Sequence, residues 1–271
     1  MKRKLQALGV LLLLGAIKLP LEDRVTRDLR AQRLLHEPVS ASALESLGQS
    51  GLAAVLGGGR GLVACILQLY AYTEFKRVNW AEVDSLYSLI TRLQPRRESY
   101  WDEASWHMAF NAASYYLYRN NDPAYTNEMR GQLREQYVRR GIEILQEGLR
   151  WMPESGRLWM QLAEIYNRRS YEHAKAGEAY EKAYKYGAPN YTVTAAGFNY
   201  AQALDVESWQ KAYGILKAEY DRDKARGRVP TPGLIEHLKN VESYLDIPRE
   251  KRIPESMPVP KVPQKMMGPW K

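Results

Sequence analysis

The chain of 271 residues holds one cysteine, three phenylalanines and four histidines, and nowhere about 20 uninterrupted apolar residues. Each scarcity excludes something. A lone Cys65 forms no intramolecular disulfide and no multi-cysteine zinc site, and its neighbours Val63, Ala64 and Ile66 predict a buried thiol. The histidines, His36, His107, His173 and His237, stand far apart, with no H-E-x-x-H or comparable metal spacing. The one glycine-rich stretch, "LGGGRG", lacks the G-K-[ST] ending of a phosphate loop, and no G-x-S-x-G occurs. Glu143 and Glu147, one helical turn apart, read as a solvated face. The sequence therefore offers no catalytic, metal or cofactor set.

Basic blocks are missing too. The formal charge is +8, yet no five or six basic residues are consecutive, so the excess reads as solubility. In "YNRRSYEHAKAGEAYEKAYKYGAPNY" a basic and aromatic mixture that would suit a single nucleic-acid strand is interrupted by Glu172, Glu178 and Glu181. No nucleic-acid partner is expected and no small-molecule ligand is identified. What is abundant is ordinary globular material, 45% hydrophobic and 26% charged, with 19 Tyr and 7 Trp whose amphipathic rings suit half-buried grooves.

Residues 1–22, "MKRKLQALGVLLLLGAIKLPLE", join a basic start to an apolar run from Ala7 to Ile17, the grammar of a secretory signal or signal anchor. No A-x-A-like cleavage site follows, so an uncleaved membrane-anchor helix is expected, with Lys18 snorkelling. Lys2, Arg3 and Lys4 favour a cytoplasmic start and an exported remainder, although Arg24, Arg27, Arg30 and Arg33 follow closely. Residues 23–56 form a membrane-proximal segment. The second apolar stretch, "SGLAAVLGGGRGLVACILQLYAY", carries Arg60 and four glycines at its middle, which disfavours a membrane span. It reads instead as a glycine break and a packed helix over about 61–76, with Leu62, Ile66, Leu69 and Thr73 on its inner face.

From residue 57 to 247 the periodicity is helical. "WAEVDSLYSLITRLQP" lines up Val83, Leu86, Tyr87, Ile90 and Leu93; "YVRRGIEILQEGLRWMP" lines up Ile142, Leu145, Leu149 and Met152; each ends at a proline. "PRRESYW" and "PESGRLW" repeat a proline and a tryptophan six apart. Ala104, Ala109, Ala112, Ala113, Gly141, Gly148 and Ala163 permit close helix approach. Units of this kind bury their apolar faces only by stacking.

These residues resemble the tetratricopeptide repeat. Trp159, Leu162, Ala163 and Tyr166 match its first helix, and Ala176, Tyr180 and Ala183 match its second after one extra residue, with Ala188 where the closing proline is expected. Gly141, Leu145, Gly148 and Pro153 match the second helix of a preceding repeat, and Val83, Tyr87, Ile90 and Pro95 an earlier one. The resemblance covers about residues 60–220 and departs in period, 58 residues instead of about 34. It implies an all-α fold of antiparallel helix pairs stacked as a solenoid, with a concave surface for a peptide or protein segment.

Residues 248–271 have six prolines and a side-chain charge of +4, which predicts an extended basic tail. Met266, Met267 and Trp270 are its apolar anchor candidates. Along the helices, Trp101, His107, Asn111 and Tyr115 are groove candidates, joined by Tyr166 and Asn167, while Arg60 is a candidate membrane-proximal contact. The function expected is a membrane-anchored scaffold, a non-catalytic subunit binding other, membrane-associated protein subunits of an envelope complex. The alternative is an enzyme, or an accessory to one, acting on an envelope polymer held in the groove.

Overall fold

The computed structural model describes residues 24–25, 58–118 and 124–257. The expected anchor, most of the membrane-proximal segment, and Met266, Met267 and Trp270 lie outside the described residues. Among those described the secondary structure is helical throughout, with no strand, as the periodicity predicts. No described helix is long and apolar enough to cross a membrane. The chain divides into two compact units, one ending at Tyr100 and one beginning at Trp101.

In the first unit, α1 (Arg60–Lys76) packs against α2 (Trp80–Leu93). Val83, Tyr87, Ile90 and Leu93 of α2 are buried as the sequence predicts, while Leu86 of the same predicted stripe is only partly buried and Leu89 is buried as well. On α1 the expectation fails. Leu62, Ile66 and Leu69 are 66%, 45% and 70% exposed, and Cys65 is exposed as well. The inner face is instead Val63, Ala64 and Ala71. The helix is apolar nearly all round, so periodicity does not choose its inner side, and the face with the smaller side chains permits the closer helix approach.

The second unit runs through α3 (Glu98–Trp106), a π-helical stretch π1 (His107–Ala112), α4 (Ala113–Leu117), α5 (Asn127–Trp151), α6 (Gly156–Ile165), a second π-helical stretch π2 (Tyr166–Ser170), α7 (His173–Lys185), α8 (Tyr191–Gln202), α9 (Val206–Ala225) and α10 (Pro232–Tyr244). From α4 onward each α-helix packs against the next in sequence, and α8 also meets α10. The starts are set locally. Thr126, Ser155, Asp205 and Thr231 each accept a hydrogen bond from the backbone N–H three residues on, and Pro232 takes the first position of α10, where no N–H is needed.

Small residues set the spacing, as expected. A Cβ on Gly148 would lie 2.8 Å from the Trp101 ring, and one on Gly177 would lie 2.6 Å from the Tyr200 ring. The proline–tryptophan spacing at 153–159 has a physical role, because the Trp159 indole N–H donates to the Pro153 carbonyl at 2.8 Å. Trp209 repeats the geometry on Ala203 at 2.6 Å, so in both places an indole ties the helix to the carbonyl of the loop before it.

Residues 249–257 are not simply an extended tail. After a 3₁₀ turn (Arg249–Lys251), Ile253 is buried and its N–H donates to the fully buried Glu242 carboxylate at 2.7 Å. Lys239 donates to the Ile253 carbonyl. Two residues on, Glu255 accepts from the Tyr220 hydroxyl and pairs with Lys224, each at 2.6 Å. This part of the basic tail is strapped to α9 and α10.

Candidate functional site

A feature pointing to binding is a cleft of about 390 Å³ between α5, α6 and α7, in the size range of small binding pockets. Leu149, Leu162 and Ala179 give it apolar walls, and Trp159 and Tyr166 supply rings. Its rim holds Arg150, Lys175 and Lys182 against the single carboxylate of Glu178, with Gln146 beside them. The lysines lie on the rings: Lys182 Nζ is 4.3 Å from the Trp159 ring centre and Lys175 Nζ is 5.7 Å from that of Tyr166. Such contacts hold ammonium groups over the apolar surface while leaving them charged. Lys175 also pairs with Glu172, which raises its pKa. Burial pushes the Tyr166 phenol up, against the bond it accepts from Gln146 Nε2 at 3.4 Å, so it is neutral at ordinary pH.

The cleft continues into π2. A π turn is wider than an α turn and recurs at functional sites. Here it closes with Tyr171 in the left-handed region (φ 58°) and the Glu172 N–H donating to the Tyr166 carbonyl at 2.9 Å. Arg169 extends from π2 onto the face of Phe110 in π1, 4.4 Å from its ring centre, and donates to Ser114 Oγ at 3.1 Å. The two π-helical stretches therefore meet through one arginine.

The candidates named from sequence divide into separate places. Trp101 is buried against Gly148. His107 and Asn111 share π1, with the Asn111 amide 3.1 Å from His107 Nδ1; burial lowers the His107 pKa, opposed by Glu103. Tyr115 lies one turn on, edge-to-face with Tyr116 at 5.2 Å. Tyr166 lines the cleft, and Asn167 follows it in π2. Arg60 opens α1 in the first unit. The sequence marks Trp159 only as a repeat position, and it does not mark Lys175, Lys182, Arg134 and Arg169 as site residues, because a basic residue on a helix face is ordinarily a solvated one. The available signal was the heptad spacing of Lys175 and Lys182, two turns apart on one face. No family model matches the chain, and no curated protein is significantly similar to it.

Proposed function

We propose that this chain is a tetratricopeptide-like interaction scaffold whose cleft between α5, α6 and α7 holds an acidic segment of a partner protein. The observation that carries the reading is the cleft itself: apolar and aromatic walls, with Arg150, Lys175 and Lys182 at the rim beside Glu178, Lys175 being paired with Glu172. Apolar walls reward burial of a partner's side chains, and the cationic rim selects partners of negative charge. The sequential packing of helix on helix and the buried Leu162, Ala163, Ala176, Tyr180 and Ala183 support a repeat architecture. Residues 1–22 carry the pattern of an uncleaved anchor. On that basis the scaffold belongs to a membrane complex, with the helical domain on the exported side.

The test is affinity purification of the tagged chain from gentle detergent, beside a Lys175→Glu/Lys182→Glu double variant and Trp159→Ala. Fixed-stoichiometry membrane partners captured by the native chain and lost from the double variant are the expected result. Recovery of the same partners by both variants overturns the cleft assignment. A chain that leaves the membrane without detergent overturns the anchor.

A further inference from the structure

Several basic side chains of the second unit form ion pairs: Arg157 with Asp102 at 2.6 Å, Arg168 with Glu164 at 3.5 Å, Arg222 with Glu219 at 2.6 Å and Lys217 with Asp221 at 2.6 Å. Arg134 and Arg169 are both partly buried, unlike the exposed Arg226. Neither forms an ion pair with a carboxylate among the described residues, and they stand beside each other, because Arg134 Nη2 donates to the Arg169 carbonyl at 2.7 Å. The Arg134 guanidinium lies 6.0 Å from the Tyr171 ring centre. Arg169 lies over the Phe110 ring and spends one N–H on Ser114, while its Nε is buried without a hydrogen-bond partner.

We propose that Arg134 and Arg169 form a binding site for a phosphoryl group, with Ser114 and Tyr171 at its edge. Two uncompensated cations call for a dianion, and phosphate near neutral pH approaches two charges, whereas a single carboxylate would leave one cation unbalanced. Guanidinium forks suit oxyanions because their parallel N–H groups match the oxygen spacing. The arrangement is costly when empty. Burial, with Arg134 and Arg168 nearby, pulls the Arg169 pKa below the ordinary arginine value, so a bound anion would relieve an existing repulsion. The backbone keeps the pair in place: π2 carries Arg169 and the left-handed Tyr171 closes it.

Either a soluble phosphate monoester or a phosphatidic-acid headgroup supplies this chemistry, and two arms separate them. In the first, the full chain in neutral detergent is titrated with sodium phosphate at constant ionic strength, with chloride and succinate as comparisons, and heat is measured. In the second, its binding to phosphatidylcholine vesicles is measured with and without phosphatidic acid. Arg134→Gln is the principal variant, since its half-exposed side chain can change without opening the core. Arg169→Lys keeps the charge and removes the fork, and Arg226→Gln is an exposed control just past the end of α9.

Saturable phosphate binding weakened at least about tenfold in Arg134→Gln and in Arg169→Lys, and unchanged in Arg226→Gln, is the expected result and assigns a soluble ligand. Dependence on Arg134 seen only with phosphatidic-acid vesicles assigns the headgroup. The proposal is overturned if neither arm depends on Arg134, if chloride reproduces the response, or if succinate binds more tightly than phosphate.

Discussion

At Gly148 the Trp101 ring lies 2.8 Å from where a Cβ would be built, while at Gly214, on the exposed side of α9, nothing lies within 4 Å. The same substitution at these two positions has opposite signs. Gly148→Ala forces the ring or the helix to move and is expected to destabilise by about 1–3 kcal/mol. Gly214→Ala removes only backbone freedom from a helix interior and is expected to stabilise by about 0.5–1 kcal/mol. Urea denaturation of each single variant checks both, and a loss at Gly214 equal to that at Gly148 would contradict the packing argument. The sequence could mark Gly148 as a close-approach residue, since it recurs seven residues after Gly141 on one helix face. It could not name Trp101 as what approaches, and that is why Trp101 read as a groove residue.

The ends of elements carry charge-dependent stability. Asp205 caps α9 by accepting from the Ser208 N–H at 2.8 Å, and that backbone bond holds its carboxyl below the usual range. Asp205→Ala is expected to cost about 1 kcal/mol, read from the shift in urea midpoint. The strap at residues 252–257 has its own signature. Burial raises the Glu255 pKa, but the bonds from Lys224 and Tyr220 outweigh it and hold the carboxyl at about 2, against 4.5 for the free group. A depressed carboxylate stabilises the docked strap fully above pH about 4.5, and that contribution is lost as pH falls through about 2. An NMR titration of the Glu255 side chain should give a midpoint near the lower value; a midpoint near the higher one would mean that the strap is not docked. Composition marked this segment only as proline-rich and basic. The buried Glu242, which fixes Ile253, looks in sequence like any charged residue on a helix.

For the whole molecule, acid sensitivity begins well above the carboxylates. Burial holds both His107 and His237 below the ordinary histidine pKa, each against a nearby glutamate, and His237 packs on Phe198 with ring centres 4.8 Å apart. A base whose folded pKa is lowered takes up its proton more readily when unfolded. The stability it contributes is complete above about pH 6.5 and declines as pH falls through that value toward the folded pKa. The urea midpoint is therefore expected to drop between pH 8 and pH 5.5, and less so in a His107→Gln/His237→Gln variant. An identical drop in that variant would place the acid response elsewhere.

Helical periodicity, proline stops and small-residue spacing settle an all-helical class from sequence alone, because each acts within a few residues along the chain. Val83, Tyr87, Ile90 and Leu93 were legible for that reason. Only the tertiary structure decided which side of α1 turns inward, since a helix apolar nearly all round has no periodicity to orient it. It alone brought Trp159 under Lys182, and Arg134 beside Arg169 across 35 residues of chain. Local patterns follow from the backbone's own geometry, whereas a cleft or a pair of unbalanced charges exists only once distant helices have packed.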